Sequence, residues 1–128
     1  MKLKHIKQPE ESSLCGQCCV AMLCGISLQD AILAVGHAHG TRTREIVRAL
    51  ERHGCRVGGR RGGLKRIRMG DQFPKTGIFK MLPLKGIKSR KSHWLVIHDG
   101  RIYDPGCPPG EISEGRLSSY LEVQDGKL

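Results

Sequence analysis

The stretch that most constrains this chain is residues 8–23, where a polar segment leads through a cysteine into an apolar helical pattern. Apolar side chains recur there at the spacing of one helix face, at Cys18, Cys19, Met22 and Leu23. Ser12 and Ser13 are suitable N-cap residues, which predicts a helix that starts near Cys15 and ends at Gly25. The partial positive charge of a helix N-terminus favours a thiolate. Residues 8–23 therefore predict a reactive thiol at Cys15, if another part of the chain supplies a base.

Length and composition bound the remaining possibilities. The 128 residues fit a single domain over residues 1–128 that can bury a core without disulfides, metals or cofactors. Residues 1–7 lack the apolar region of a signal peptide, and no apolar run is long enough to cross a membrane. We therefore expect a cytoplasmic location, no membrane partner and six cysteines present as thiols. The net charge of +10 favours acidic partners.

Helical patterns come first along the chain and strand patterns second, which predicts an α+β fold. Ser27 and Asp30 form a capping pattern for a second helix, and Thr41 or Thr43 can cap a third helix that ends at Gly54. Residues 58–68 predict a Gly- and Arg-rich basic loop with one short strand inside it. The other expected elements are strands at 55–57, 77–82, 93–98 and 101–105, and a short helix near 116–121.

The Asp99-Gly100 pair lies between two β-rich runs and predicts a two-residue hairpin turn. Leu95 then opposes Asp104 across the hairpin. Because side chains alternate along a strand, His93 shares the face of Leu95. His93 and Asp104 become diagonal neighbours about 7–8 Å apart, within reach of each other's side chains.

A cysteine nucleophile needs a base, and the base needs a group that orients its ring. Cys15, His93 and Asp104 are chemically suited to these three roles. The oxyanion that forms during acyl transfer needs hydrogen-bond donors. The side-chain amide of Gln8 and the backbone N–H of Cys15 are the candidates.

This order of motifs resembles the C39 family of papain-like cysteine peptidases over about residues 8–106. The resemblance implies a papain-like α+β fold, with N-terminal helices packed on a C-terminal antiparallel sheet, and cleavage after a double-glycine leader. It also implies a Cys-His-Asp triad with a Gln oxyanion donor, acting on a peptide or isopeptide bond. The matching residues are Gln8, Cys15-Gly16, Ala21-Met22, His93 to Val96 and Tyr103 to Pro105.

The expected substrate is a peptide or protein. Gly16 and Trp94 follow the nucleophile and the base directly, so we expect them to contact the substrate, although Trp94 is also expected to be core on the face opposite His93. A basic segment precedes His93, and its residues Lys88 and Arg90 favour an acidic peptide. Cys18, Cys19 and Cys24 are expected to be core residues.

Three alternatives remain open at this point. The first is a catalytically inactive binding module whose basic surface takes an acidic protein or nucleic acid, although a 4% aromatic content disfavours nucleic acid. The second is a thiol-disulfide oxidoreductase that uses Cys15 and Cys18 as a C-x-x-C motif. The third, a zinc site, would draw on Cys15, Cys18, His37 and His39.

Overall fold

The structure, a computed structural model, describes residues 3–58, 64–83 and 92–125, and shows an α+β arrangement of three helices and a six-stranded antiparallel sheet. The helices are α1 (Cys15–Cys24), α2 (Leu28–Val35) and α3 (Thr43–Arg52). The strands are β1 (Cys55–Val57), β2 (Lys65–Arg66), β3 (Thr76–Leu82), β4 (His93–His98), β5 (Arg101–Tyr103) and β6 (Arg116–Asp125).

The helix boundaries follow local signals at most ends. Gly25 ends α1 in the left-handed region, with φ 66°, and the Ser27 hydroxyl caps α2 by accepting from the Asp30 N–H at 3.0 Å, as predicted. The predicted caps of α1 and α3 are wrong. Leu14 precedes α1 without a side-chain cap, because the Ser12 hydroxyl donates to the Pro9 carbonyl instead. Arg42, not a threonine, precedes α3.

The strands lie in the order β1-β6-β3-β4-β5, with β2 also paired to β6. The predicted hairpin is confirmed: Asp99 and Gly100 both have positive φ, at 49° and 74°, as a type I′ turn requires. Its register pairs Val96 with Tyr103. His93 begins β4 and Asp104 directly follows β5, so the hairpin brings His93 and Asp104 toward each other.

The predicted helix near 116–121 is wrong, because these residues begin the ten-residue strand β6. Strand β6 pairs with β1, β2 and β3, and so lies inside the sheet. Tyr120 and Leu121, which point to opposite faces, are both buried. Pairing with distant strands therefore overrides the local pattern.

Two apolar clusters occupy the two faces of the sheet. The larger one joins the helices to one face through Ile78, Trp94, Val96, Leu121 and Val123. The smaller one lies on the other face and consists of Phe79, Met81, Leu95, Ile97 and Tyr120. Trp94 is thus a core residue on the face opposite Leu95, as the alternation along β4 predicts.

No single helix among the described residues is long and apolar enough to cross a membrane. Only α1 and α2 together reach that length and composition, and the chain bends by 111° between them.

Candidate active site

Cys15, His93 and Asp104 meet at one end of the sheet. Cys15 is the first residue of α1, which packs against β4, and His93 is the first residue of β4. The Cys15 side chain lies near enough to the His93 ring to contribute to the raised pKa of His93. The His93 Nε2 atom lies 2.5 Å from Asp104 Oδ1 in a hydrogen bond, so Nδ1 is the ring nitrogen that remains for the thiol. Three residues separated by up to 89 positions in sequence thus come together at one site.

Asp104 is completely buried and accepts hydrogen bonds on both carboxylate oxygens. The Gly106 N–H donates to Oδ1 at 2.8 Å, and the Ser113 N–H donates to Oδ2 at 2.8 Å. Burial alone would raise the pKa of Asp104, but the hydrogen bonds from His93, Ser113 and Gly106 hold this pKa below its ordinary value. Asp104 is therefore an anion that faces the imidazole. Sequence reasoning missed these two backbone donors.

His93 is half-buried between the thiol and the carboxylate. Burial alone would lower the pKa of His93, but hydrogen bonds and charge interactions with Asp104 and Cys15 raise it from 6.5 to about 9. The ring is therefore an imidazolium at neutral pH. Imidazolium and thiolate stabilise each other, so the geometry suits an ion-paired nucleophile.

We expect an NMR titration of His93 to have its midpoint near pH 9. Because the folded-state pKa lies above the ordinary 6.5, this group stabilises the fold fully below pH 6.5, and the contribution is lost as pH rises through about 9. The lowered pKa of Asp104 has the opposite pH dependence. Its contribution to the free energy of unfolding is present above the ordinary pKa of 3.8 and is lost as the pH falls below that value. Urea unfolding of the wild type and His93→Gln across pH 6–10 checks the first effect. A His93 midpoint near 6.5 would contradict it.

Gln8 lines the same cleft as the thiol, and its side-chain amide already makes one short hydrogen bond. Its Nε2 donates to the Ser12 carbonyl at 2.8 Å, and its Oε1 is buried without a partner among the described residues. The second Nε2 proton has only a long contact of 3.4 Å to the Ser12 hydroxyl, so it can turn toward an oxyanion. The Gln8 backbone N–H donates to the Pro105 carbonyl at 2.8 Å, which ties this segment to the residue after Asp104. The role of Gln8 as an oxyanion donor stays a prediction.

An open cleft of about 1120 Å³ surrounds the thiol. Both Cys15 and Trp94 line it. Lys88 and Arg90, the two predicted basic contacts, lie outside the described residues. The side chains that line the cleft also include Gln8, Glu10, Glu11, Lys80, His93 and Glu114.

Gly16 is not brought to the cleft, so the structure does not place it as the predicted substrate contact. It is buried beneath Thr41, and a Cβ atom at Gly16 would lie 2.1 Å from Thr41 Oγ1. Thr41 does line the cleft, and its Oγ1 is buried without a partner among the described residues. A glycine at this position therefore lets the segment before α3 lie against the start of α1.

Gly16→Ala is expected to destabilise the fold by about 1–3 kcal/mol, because the new methyl group overlaps Thr41. Urea unfolding measures the loss. Gly40→Ala is the matched control, since Gly40 lies in the same region and a Cβ there meets nothing within 4 Å. Adding Thr41→Ala should recover part of the loss. Equal effects of the alanines at positions 16 and 40 would contradict the close contact.

The remaining cysteines of α1 differ from Cys15. Cys18 and Cys19 are fully buried, as predicted, and burial together with Cys15 raises the pKa of Cys18 to about 12. Cys24 is half-buried against the core, with its Sγ 3.6 Å from that of Cys55. Within residues 3–58, 64–83 and 92–125, no three His, Cys, Asp or Glu side chains are grouped to hold a metal. The zinc alternative has no support from this geometry, and His37 instead contacts Glu45 at 2.6 Å.

The arrangement places a thiol, an imidazolium and a buried carboxylate in sequence at the wall of an open cleft. Such a set can attack a carbonyl carbon and deliver a proton to the leaving group. The comparisons with known proteins add no name to this chemistry. No protein-family model matches the chain, and no curated protein matches it.

Proposed function

We propose that this protein is a small C39-like, papain-like cysteine hydrolase that cleaves a peptide or isopeptide bond. The observation that carries the proposal is that Cys15, in an open cleft, interacts with His93, whose ring is hydrogen-bonded to the buried Asp104. Helices followed by an antiparallel sheet are compatible with the papain-like fold. The motif order that resembles the C39 family supports the same assignment.

In the proposed reaction, the Cys15 thiolate attacks the scissile carbonyl carbon. The oxyanion is held by the Cys15 backbone N–H and by the Gln8 amide. The His93 imidazolium gives its proton to the leaving amine, which departs and leaves a thioester on Cys15. Neutral His93 then takes a proton from water as the hydroxyl attacks the thioester, and Cys15 returns to the thiolate with release of the acid.

Asp104 acts on the ring and not on the substrate. Its carboxylate keeps Nε2 protonated, so that Nδ1 serves the thiol and the leaving group. The two backbone N–H groups that hold Asp104 prevent it from turning away. This arrangement explains why a completely buried carboxylate is compatible with a reaction at an open cleft.

A peptide-library digest tests the proposal against many candidate substrates at once. A tryptic digest of a bacterial proteome is incubated with the protein, and mass spectrometry identifies new peptide ends. Wild type should create new ends at recurrent sites, and Cys15→Ala should create none, whereas Cys18→Ala should retain activity if it folds.

Two results would contradict the proposal. One is cleavage that persists in Cys15→Ala. The other is a folded wild type that creates no new ends in the digest or in a set of isopeptide-linked peptides. If oxidised glutathione instead yields a reversible bond between Cys15 and Cys18, the oxidoreductase alternative would replace it.

A further inference from the structure

A row of four residues crosses the sheet from the cleft toward the β1–β2 edge. The strand registers pair Trp94 with Lys80, Lys80 with Ser119, and Ser119 with Arg66. Adjacent strands lie about 4.8 Å apart, so the row extends about 14 Å from Trp94 to Arg66. Paired residues in adjacent strands point to the same face, and Trp94 belongs to the helix-side cluster. All four side chains therefore lie on the helix side of the sheet.

This row lies at the boundary of the core. Two residues further along the strands, Leu121, Ile78 and Val96 form a fully buried row in the helix-side cluster. In the outer row, by contrast, Lys80 and Ser119 are half-buried and Arg66 is exposed. Lys80, Ser119 and Arg66 are thus accessible, whereas Trp94 is buried, and the end of the row at Trp94 and Lys80 lies in the wall of the cleft that holds Cys15.

Among the residues that the structure describes, neither cation of the row has a carboxylate partner. Every ion pair among the described residues joins a histidine to a carboxylate, so neither Lys80 nor Arg66 is in one. The Lys80 ammonium lies 6.0 Å above the Trp94 ring, a cation–π contact that holds it at the cleft. The carboxylates that line the cleft are in the loop before α1 and the loop after β5, not in the row: Glu10, Glu11 and Glu114.

We propose that this row, from Trp94 through Lys80 and Ser119 to Arg66, is a binding strip for an acidic segment of the peptide substrate. The inference rests on the proposed function, since it assigns the substrate class of the same cleft. Lys80 and Arg66 are two strand spacings apart, about 10 Å. In an extended peptide, side chains two residues apart share a face and lie about 6.6 Å apart, and the long Lys, Arg and Glu side chains span the difference. The strip therefore suits two carboxylates two residues apart.

Binding of defined peptides to the full-length Cys15→Ala protein tests the strip without cleavage. The probes are fluorescein-labelled ten-residue Gly-Ser peptides with Glu at every second position, and matched peptides with Gln or Lys there. Fluorescence anisotropy should show that the Glu peptide binds at least fivefold more tightly than the Gln peptide. Because the contacts are exposed, this preference should weaken at 0.5 M salt.

Charge reversals locate the contact. Lys80→Glu and Arg66→Glu should each reduce the affinity for the Glu peptide about fivefold or more. Lys65→Glu is the matched control, because Lys65 is also exposed and lies on the same strand as Arg66 but on the opposite face. Lys80→Gln provides a milder change if Lys80→Glu does not fold.

Equal affinity for the Glu and Gln peptides would overturn the proposed strip. A loss of affinity from Lys65→Glu as large as that from Lys80→Glu and Arg66→Glu would also overturn it. Because these measurements use a variant without the nucleophile, they are independent of the peptide-library digest. Failure of the strip with persistent Cys15-dependent cleavage would leave the proposed function standing. Selective binding of the Glu peptide without cleavage in the digest would support the strip and contradict the proposed hydrolase function.

Discussion

His93→Ala is expected to slow alkylation of Cys15 by iodoacetamide at pH 7 by about 10- to 100-fold. An ordinary thiol with a pKa near 8.5 is only a few per cent ionised at this pH, whereas a neighbouring imidazolium stabilises the thiolate. The raised pKa of His93, about 9, keeps the ring charged under these conditions. Mass spectrometry of the labelled protein gives the rate at each cysteine, so Cys15 can be distinguished from the other five thiols.

Peptide cleavage should fall further than alkylation in the same variant, by about 10³-fold or more, because the proton donor for the leaving amine is also lost. His53→Ala is the matched control, since His53 is exposed beyond the end of α3 and should leave both rates unchanged. Wild-type alkylation in His93→Ala would show that the ring does not activate the thiol. Equal losses of the two rates would remove its role as proton donor.

Asp104→Ala is expected to cost about 3–5 kcal/mol in the free energy of unfolding, because it leaves buried partners without their anion. Three donors converge on this carboxylate: His93 Nε2 and the backbone N–H groups of Gly106 and Ser113. The pKa of His93 should also fall from about 9 toward 6.5. Urea unfolding and the NMR titration of His93 measure the two effects separately.

Asp104→Asn keeps the shape and separates these contributions. An amide has one acceptor oxygen, so its NH₂ group must face at least one of the three donors, and a loss of about 1–3 kcal/mol remains. The pKa of His93 should fall in this variant too. Glu111→Gln, at an exposed carboxylate in the loop after β5, is the control and should change neither quantity. A wild-type His93 midpoint in Asp104→Asn would show that the carboxylate does not set the charge of the ring.

The pairing of His93 with Asp104 could be predicted because its causes are local. The Asp99-Gly100 turn sets the hairpin register, and the period of two along a strand then determines which side chains share a face. The end of α1 at Gly25 and the Ser27 cap of α2 were predictable for the same reason, since each depends on residues within a few positions.

Predictions that depended on which of several partners a residue meets were less successful. The Ser12 hydroxyl is a suitable helix cap by residue type, yet it donates to Pro9 while the Gln8 amide donates to the Ser12 carbonyl. Gly16 was expected at the substrate, but the segment before α3 lies over it. Neither contact has a signal in the sequence, because residue type does not show which of several available partners a polar group will meet.

By itself, the sequence determined that Cys15 begins a helix, that helices precede strands, and that His93 and Asp104 share a hairpin. Only the tertiary structure decided that this hairpin end packs against the start of α1, so that the thiol, the ring and the carboxylate meet. It also decided that residues 116–125 form a strand between β1, β2 and β3, which aligns Arg66, Ser119 and Lys80 with Trp94. The physical reason is range: turns and strand alternation act over a few residues, whereas these contacts depend on hydrogen bonding and burial between segments far apart in sequence.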